Sequence, residues 1–288
     1  MIIASLIGGL GNQLFQYALA KKLAVKYNTD VYLDISGFEE YKLHKFSMQQ
    51  FAFEKRIATT QELMLFKEES KGANLFNKLN KKFLNPVVIR EKQFNYDPDV
   101  FQIARKNTYL YGYWQTERYF SDVRNNLLND LKVTKPIEGK NRQVANLISG
   151  MNAVSLHIRR ADYVSNNDTL KVHGICGLDY YEQALEYISA NESNVTLFVF
   201  SDDIPWCRKH LKTSLQIYFV DHNNADTNYE DMRLMSLCKH NIIANSSFSW
   251  WGAWLNTNEE KIVIGPKEWF QTMERDYSDV IPGKWIRI

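Results

Sequence analysis

The second half of the chain alternates short apolar strands with helices, and this alternation constrains the fold more than any other feature of the sequence. Strands that are separated by helices of this length form a parallel sheet with helices packed on its faces. The pattern therefore predicts a doubly wound α/β domain. Its predicted strands begin at Val154, Val195, Ile217, Ile242 and Ile262.

The N-terminal segment predicts a second unit of the same type. Ile2–Ile7 is a short apolar strand, Asn12–Lys26 carries apolar residues at helical spacing, and Val31–Ile35 is another strand. A linker is predicted at Val133–Gly139, which contains proline and glycine. The sequence thus predicts an α/β protein with two Rossmann-like domains facing a cleft. The predicted domains are residues 1–139 and 140–288.

The turn after the first strand, which contains Gly9 and Gly11, invites comparison with a dinucleotide-binding fingerprint. The third glycine of that fingerprint, which allows close helix packing, would fall on Leu14, so we reject a nicotinamide-binding site. Asn12 and Gln13 instead place two amide side chains at the start of the helix. These amides are predicted to face whatever ligand the turn approaches.

The strand at Val154 ends in a polar cluster. His157, Arg159, Arg160 and Asp162 lie where the chain leaves the sheet, and this edge is where ligands bind in α/β domains. Two adjacent guanidinium groups suit a phosphorylated ligand, because arginine forms forked hydrogen bonds with phosphate oxygens. The alternative is a surface arginine pair balanced by Asp162.

A second candidate site is the stretch that begins at Asn245. Ser246 and Ser247 precede an amphipathic helix, where hydroxyl groups and free main-chain amides bind anions. The serines also fit a simple helix cap, and the two roles are compatible. The tryptophans that follow are interpreted as core residues. They are Trp250, Trp251 and Trp254.

A third candidate is the carboxylate pair Asp202 and Asp203, which follows the strand that begins at Val195. Carboxylates at a strand end accept N–H groups from a guanine edge, bind a metal ion or cap a helix. A metal site is disfavoured because neither a histidine nor a third carboxylate lies near them at ligand spacing.

Composition limits the classes of partner and compartment. Lysine and arginine number 35 against 33 acidic residues, so the chain has no general field for nucleic acid. The three cysteines form neither a zinc pattern nor a disulfide framework, which favours a reducing compartment. No apolar run reaches the roughly 18 residues of a membrane span. We expect a soluble cytoplasmic protein, with peripheral membrane contact left open.

Four stretches together resemble the α-1,2-fucosyltransferases, glycosyltransferase family eleven. They occur in the family's order between residue 8 and about residue 270. They read Gly8-Gly-Leu-Gly-Asn-Gln-Leu-Phe-Gln-Tyr-Ala, His157-Ile-Arg-Arg-Ala-Asp-Tyr, Phe200-Ser-Asp-Asp and Asn245-Ser-Ser-Phe-Ser-Trp-Trp-Gly-Ala-Trp. Residues 38–105 contain no motif that we identify with the family.

The resemblance implies a GT-B-like fold and a metal-independent, inverting transfer of L-fucose from GDP-fucose to the 2-hydroxyl of a terminal galactose, without a cofactor. A chain without a membrane anchor is similar to the bacterial members that build O-antigen or capsule. The implied partners are GDP-fucose and a galactose-terminated glycan, with peripheral contact to a membrane that carries lipid-linked oligosaccharide. The implied donor-binding residues are His157, Arg159, Asp202, Asp203, Ser246, Ser247 and Phe248, and the implied acceptor-side residues are Gly9, Asn12 and Gln13.

The predicted catalytic positions are Arg159, Asn12 and Asp162. By the resemblance, Arg159 contacts the β-phosphate, where negative charge builds as GDP departs. Asp162 is the nearest candidate for a general base, although pairing with Arg160 is the favoured role for its carboxylate. His173, on the following loop, is a weaker candidate.

Three other functions compete with this interpretation. One is a fucosyltransferase of another linkage, either α-1,6 or protein O-fucosyl. Another is a non-catalytic module that binds GDP-sugar or glycan. The third, a nicotinamide oxidoreductase, is weakened by Leu14.

Overall fold

A computed structural model describes residues 1–40, 44–66, 83–160, 174–271 and 276–288. The chain divides into two compact units, Met1–Thr134 with Asp276–Val280, and Lys135–Arg275 with Ile281–Ile288. This division differs from the predicted boundary after Gly139, chiefly because a C-terminal segment returns to the first unit. The carboxylate of Asp279 in that segment accepts hydrogen bonds from Arg118 at 2.8 Å and from the main-chain amide of Tyr96 at 3.1 Å.

The first unit is built on a four-stranded sheet in the order β2-β1-β4-β3. All its neighbouring strands are parallel, so their carboxyl ends lie along one edge. Its elements are β1 (Ile2–Ser5), α1 (Leu10–Tyr27), β2 (Val31–Asp34), α2 (Gly37–Glu40), α3 (Thr60–Met64), β3 (Val87–Arg90), α4 (Asp99–Ile103), β4 (Thr108–Tyr111) and α5 (Arg124–Asp130).

The structure corrects one predicted helix of this unit. The pattern of apolar residues predicts a single helix over 117–131, but two short 3-10 turns precede α5. Thr116 caps the first turn by accepting a hydrogen bond from the main-chain amide of Arg118. Phe120 then leaves the helical conformation, with φ −145°, and its ring is buried against Phe15. Burial of this ring in the core therefore outweighs the local helical pattern.

The second unit contains a six-stranded sheet in the order β10-β9-β8-β5-β6-β7. All its neighbouring strands are parallel, and helices connect most of them, as the alternating pattern predicts. Its elements are α6 (Gly139–Ser149), β5 (Asn152–Ile158), α7 (Leu178–Asn191), β6 (Val195–Ser201), α8 (Ile204–His210), β7 (Gln216–Val220), α9 (Asn228–Leu237), β8 (His240–Ile242), α10 (Ser247–Leu255), β9 (Val263–Gly265) and β10 (Ile286–Arg287).

Both faces of strand β5 are buried. Val154, Leu156 and Ile158 pack in one apolar cluster of the second unit, and Ala153 packs in another. A strand covered on both faces is typical of parallel sheets. The predicted core role of the tryptophans is confirmed, because Trp250 and Trp251 are fully buried and Trp254 nearly so.

A buried amide network holds α10 against the sheet. Asn241 is fully buried and donates hydrogen bonds to Ser155 Oγ at 2.7 Å and to the carbonyl oxygen of Met235 at 2.9 Å. Its own side-chain oxygen accepts a hydrogen bond from Asn256 at 2.8 Å. Because buried polar groups are costly unless they are paired, this network favours one register of β8 and α10 on β5.

Among the described residues, none of the helices combines the length and the apolar character that a membrane crossing requires.

Candidate active site

The carboxyl ends of β5 and β6 lie side by side. His157 pairs with Phe200 and Ile158 pairs with Ser201 in the parallel register. The next residues on both strands are therefore neighbours where the chain leaves the sheet. The structure thus brings together the arginine pair that follows β5 and the carboxylate pair that follows β6, which are 42 residues apart in sequence.

Asp202 binds both arginines of the pair. One oxygen of its carboxylate lies 3.1 Å from Arg159 Nη1, and the other accepts a hydrogen bond from the main-chain amide of Arg160 at 2.8 Å. Both oxygens thus contact the segment that follows β5, and the charge of Arg159 is held in one place. Contact of Asp202 with a guanine base stays a prediction.

Asp203 and Trp206 hold Arg160. The guanidinium carbon lies 3.8 Å above the centre of the indole ring, and Nε lies 3.5 Å from Asp203 Oδ2. Asp203 also caps α8, because its other oxygen accepts a hydrogen bond from the amide of Trp206 at 3.0 Å. Asp203 is therefore a partner of Arg160, and the predicted pairing of Arg160 with Asp162 stays a prediction. Asp162 itself lies outside the described residues, as does His173.

His157 provides a neutral ring at this edge. The side chain is buried, and its ring centre lies 5.7 Å from that of Phe248. Burial lowers the pKa of His157 to about 3, and the neighbouring Arg159 adds to this effect. Its Nδ1 atom has no hydrogen-bond partner in the described part of the chain. The imidazole therefore has a hydrogen-bonding position to offer a ligand, but no positive charge at neutral pH.

The low pKa of His157 predicts a loss of stability in mild acid. Below pH 6.5 the unfolded chain binds a proton at this residue and the folded chain does not, so stability falls as the pH falls from 6.5 towards 3. We expect the free energy of unfolding of the wild type to drop by about 2 kcal/mol more than that of His157→Asn between pH 7.5 and pH 5. Urea unfolding of both proteins at the two pH values measures this difference, and equal drops would contradict it.

The start of α10 lies at the same edge of the sheet. Ser246 is its N-cap, and Ser246 Oγ accepts a hydrogen bond from the main-chain amide of Phe248 at 3.3 Å. Ser247 is the first helical residue, and both serines are half-buried. The capping role of Ser246 is confirmed. Binding of phosphate by Ser246, Ser247 and Phe248 stays a prediction that the position of this helix end supports.

Asn245 braces the segments around this helix end. Its side-chain nitrogen lies 3.3 Å from the carbonyl oxygens of Gly174 and Trp269, and its side-chain oxygen is 3.5 Å from Cys176 Sγ. The residue is 5% exposed, so it acts as a structural tie. Sequence reasoning gave Asn245 no separate role, although it lies three residues after the buried strand β8, a position like the one that identified Arg159 after β5.

The predicted acceptor-side residues lie at the carboxyl edge of the sheet in the first unit. Gly9 is the N-cap residue of α1. Asn12 is half-buried, and its side-chain oxygen accepts a hydrogen bond from Gln115 at 2.8 Å. The contact of Gly9 and Asn12 with the acceptor stays a prediction.

Gln13 has a structural role that the sequence did not predict. Its side chain is fully buried, donates hydrogen bonds to the carbonyl oxygens of Gly8 and Lys45 at 2.9 Å each, and accepts one from the amide of Ser47 at 3.0 Å. Because all of these bonds go to the main chain, the amide braces two loops. Contact of Gln13 with the acceptor stays a prediction.

Sequence reasoning missed a group of residues after β3 and β4. Glu91 follows β3, and the segment 112–116, Gly-Tyr-Trp-Gln-Thr, follows β4. The rule that placed ligand-binding residues after β5 and β6 applies equally to these strand ends. The carboxylate of Glu91 accepts hydrogen bonds from the main-chain amides of Tyr113 and Trp114, each at 2.8 Å.

No group of three or more histidine, cysteine, aspartate or glutamate side chains within the described ranges is arranged to hold a metal ion. Independence of metal stays a prediction for the reaction.

A sequence model described as Glycosyl transferase family 11 matches residues 1–288. The chain is 36% identical to an alpha-1,2-colitosyltransferase of Escherichia coli, covering 100% of this chain and 99% of the relative. It is 33% identical to the O-antigen biosynthesis glycosyltransferase WbnK of Escherichia coli, covering 98% and 99%. A shorter region, 35% of this chain and 28% of the relative, is 29% identical to galactoside 2-alpha-L-fucosyltransferase SEC1 of Bos taurus.

Solved fucosyltransferase structures share the fold. A mutant of Arabidopsis thaliana FUT1 in complex with GDP aligns with a TM-score of 0.53 and 12% identity, over 91% of this chain and 69% of that one. Fucosyltransferase NodZ from Bradyrhizobium aligns with a TM-score of 0.50 and 14% identity, over 87% and 90%. With the two parallel sheets, these likenesses confirm the predicted GT-B-like α/β class with two Rossmann-like domains.

Proposed function

The chain belongs to glycosyl transferase family 11, and we propose that it is a galactoside α-1,2-fucosyltransferase. It moves L-fucose from GDP-fucose to the 2-hydroxyl of a terminal galactose with inversion, without a metal ion or a cofactor. The product belongs to a surface glycan such as O-antigen or capsule, which the likeness to an O-antigen biosynthesis glycosyltransferase supports. Peripheral contact with a membrane that carries lipid-linked oligosaccharide is part of this proposal.

The observation that carries the proposal is the position of Arg159. Its guanidinium is held by Asp202 at a strand end, close in sequence to His157, whose ring contacts Phe248 at the start of α10. A diphosphate bound there would contact both the guanidinium and the helix N-terminus. As the bond to the sugar breaks, negative charge grows on the departing β-phosphate. A fixed guanidinium stabilises this charge more in the transition state than in the ground state.

Inversion requires in-line attack by the acceptor hydroxyl on the sugar carbon, from the face opposite GDP. The hydroxyl loses its proton as the new bond forms, and a positioned base accelerates that step. In the proposed mechanism Asp162 is the candidate base. His157 does not serve as the base in this scheme, since its buried ring is assigned to donor binding.

A transfer of colitose is the second candidate function. The relative that is 36% identical over the whole chain is named an alpha-1,2-colitosyltransferase, and the mammalian relative is named a galactoside 2-alpha-L-fucosyltransferase. Both names contain the same linkage and differ in the sugar that is moved. The comparison therefore favours the linkage and leaves two donors to test.

The deciding experiment offers both donors to one purified protein. GDP-fucose and GDP-colitose are each incubated with lactose in the presence of EDTA, and the products are analysed by mass spectrometry and by NMR for linkage. We expect transfer of one sugar to the galactose 2-hydroxyl, with the faster donor identifying the substrate. Loss of activity in EDTA that Mn²⁺ or Mg²⁺ restores would make Asp202 and Asp203 metal ligands instead.

The same preparation separates the competing functions. Calorimetric titration with GDP detects nucleotide binding without any acceptor. Binding of GDP with no product from either donor would favour a non-catalytic GDP-sugar module, and a product with a 1,6 linkage would favour the other class of fucosyltransferase. Absence of GDP binding would overturn the proposal.

A further inference from the structure

The segment 112–116 in the first unit is held in an unusual conformation. Trp114 has φ +59°, which lies in the left-handed region that non-glycine residues rarely adopt. Its indole is buried and packs edge-on against Tyr119, with ring centres 5.7 Å apart. Residues held in such conformations concentrate at functional sites, where the surroundings maintain them.

Two side chains hold this segment from different sides. Glu91 accepts the main-chain amides of Tyr113 and Trp114, as described above. Gln16 of α1 donates a hydrogen bond to the carbonyl oxygen of Gly112 at 3.1 Å. A Cβ atom on residue 112 would lie 2.4 Å from Glu91 Cβ, so glycine is required for this close approach. The conformation of the segment is therefore set by contacts on both sides.

The result of this arrangement is the placement of Gln115. Its side chain is 7% exposed and donates a hydrogen bond to Asn12 Oδ1 at 2.8 Å, across 103 residues of sequence. Asn12 Oδ1 accepts this hydrogen bond, so the remaining polar atom of the side chain is the donor Nδ2. No residue that the structure describes accepts a hydrogen bond from Asn12 Nδ2.

Gly8 provides the space for the same nitrogen. The residue has φ +74°, and a Cβ atom on it would lie 2.5 Å from Asn12 Nδ2. Any other residue at this position would be strained and would displace the amide. Gly8 thus leaves room for the nitrogen of the Asn12 amide, and Gln115 binds the oxygen of the same amide.

We propose that Gln115 is a positioning residue that presents Asn12 Nδ2 as a hydrogen-bond donor to a hydroxyl oxygen of the bound sugar. The inference rests on the proposed function and on the predicted contact of Asn12 with the acceptor sugar, at the carboxyl edge of the first sheet. An amide free to rotate would offer its oxygen as often as its nitrogen. The hydrogen bond from Gln115 removes that alternative, so the site favours an oxygen that accepts a hydrogen bond from Asn12 Nδ2.

A double-mutant cycle tests this dependence. Gln115→Glu keeps the shape and removes the donor, and Gln115→Leu removes all polar atoms. We expect each to lower kcat/KM by about ten-fold in the wild-type background and by less than about two-fold in the Asn12→Ala background. Gln102→Glu, which changes an exposed glutamine of the same unit, is the control and should leave kcat/KM unchanged. Equal losses in both backgrounds would show that Gln115 acts independently of Asn12 and would overturn the proposal.

A substrate-free measurement separates this inference from the proposed function. In ¹⁵N-labelled protein, the side-chain NH₂ signals of Asn12 are assigned from their absence in Asn12→Ala. We expect the chemical shifts of these signals to change in both Gln115 variants and to remain the same in Gln102→Glu. Unchanged signals in both Gln115 variants would overturn the positioning role whatever the activity. Absence of wild-type turnover with either donor would refute the proposed function, and the NMR result would still decide the orientation of Asn12.

Discussion

Replacing Arg159 with alanine is expected to slow turnover by about 2–4 kcal/mol in activation free energy, the range found when one electrostatic donor is removed from an active site. The physical reason is the charge on the departing diphosphate, which Arg159 is placed to neutralise. The fold should survive, because the side chain lies at a strand end and is not part of the apolar core. Steady-state kinetics with saturating donor measure the loss of kcat, and thermal unfolding checks the fold.

Two further variants sharpen this prediction. Arg159→Lys keeps the positive charge and removes the forked hydrogen-bonding geometry. We therefore expect kcat to fall, but by less than in Arg159→Ala. Arg142→Ala removes an exposed arginine of the same unit, whose Nε donates to the carbonyl oxygen of Ile137, and should leave kcat unchanged. A well-folded Arg159→Ala protein with near-normal kcat would remove Arg159 from the mechanism.

Replacing Asp202 with asparagine is expected to lower kcat/KM by about ten- to a hundred-fold, the effect of losing a hydrogen bond to a charged group. In the structure the carboxylate contacts Arg159 and the amide of Arg160. Asparagine keeps one acceptor and loses the charge that holds the guanidinium. If this positioning is its main role, the preference for guanine should not change. Inhibition constants for GDP, IDP and ADP measure that preference.

The comparison of GDP with IDP carries the test, because IDP lacks the exocyclic amine of guanine. If Asp202 accepted hydrogen bonds from the guanine edge, Asp202→Asn would bind the two nucleotides more equally than the wild type does. Asp221→Asn is the matched control. Asp221 also pairs with an arginine of this unit, Arg208 at 2.8 Å, but the pair is half-exposed and should contribute little.

The positions of the candidate residues follow from the sequence because they depend on local rules. A strand of apolar residues that ends in charged ones places those charges at the edge of a sheet, and this rule located Arg159 and Asp202 without a structure. The same rule applied to β3 and β4 would have found Glu91 and Gln115. The residues after those strands do not stand out as a charged pair, and the predicted fourth strand extended to Trp114, past the end of β4 at Tyr111.

The ionisation of His157 could not be predicted from its neighbours in the chain. The neighbouring Arg159 lowers the pKa of His157 in the folded chain, but burial is the larger cause. Burial depends on the packing of α10 and its Phe248 against β5, which brings together residues far apart in sequence. Likewise, the buried hydrogen bonds of Gln13 decide that it braces loops, although its place beside Asn12 suggested a ligand contact.

The sequence by itself determined the class of fold, the alternation of strands and helices from α6 to β9 in the second half, and the charged residues that follow β5 and β6. These features follow from the period of apolar residues and from turn chemistry, which act over a few residues. Only the tertiary structure decided the partners, such as Arg159 with Asp202 and Asn12 with Gln115. Parallel strands place the ends of distant segments side by side, so the pairing of their side chains is set by sheet order and register rather than by local sequence.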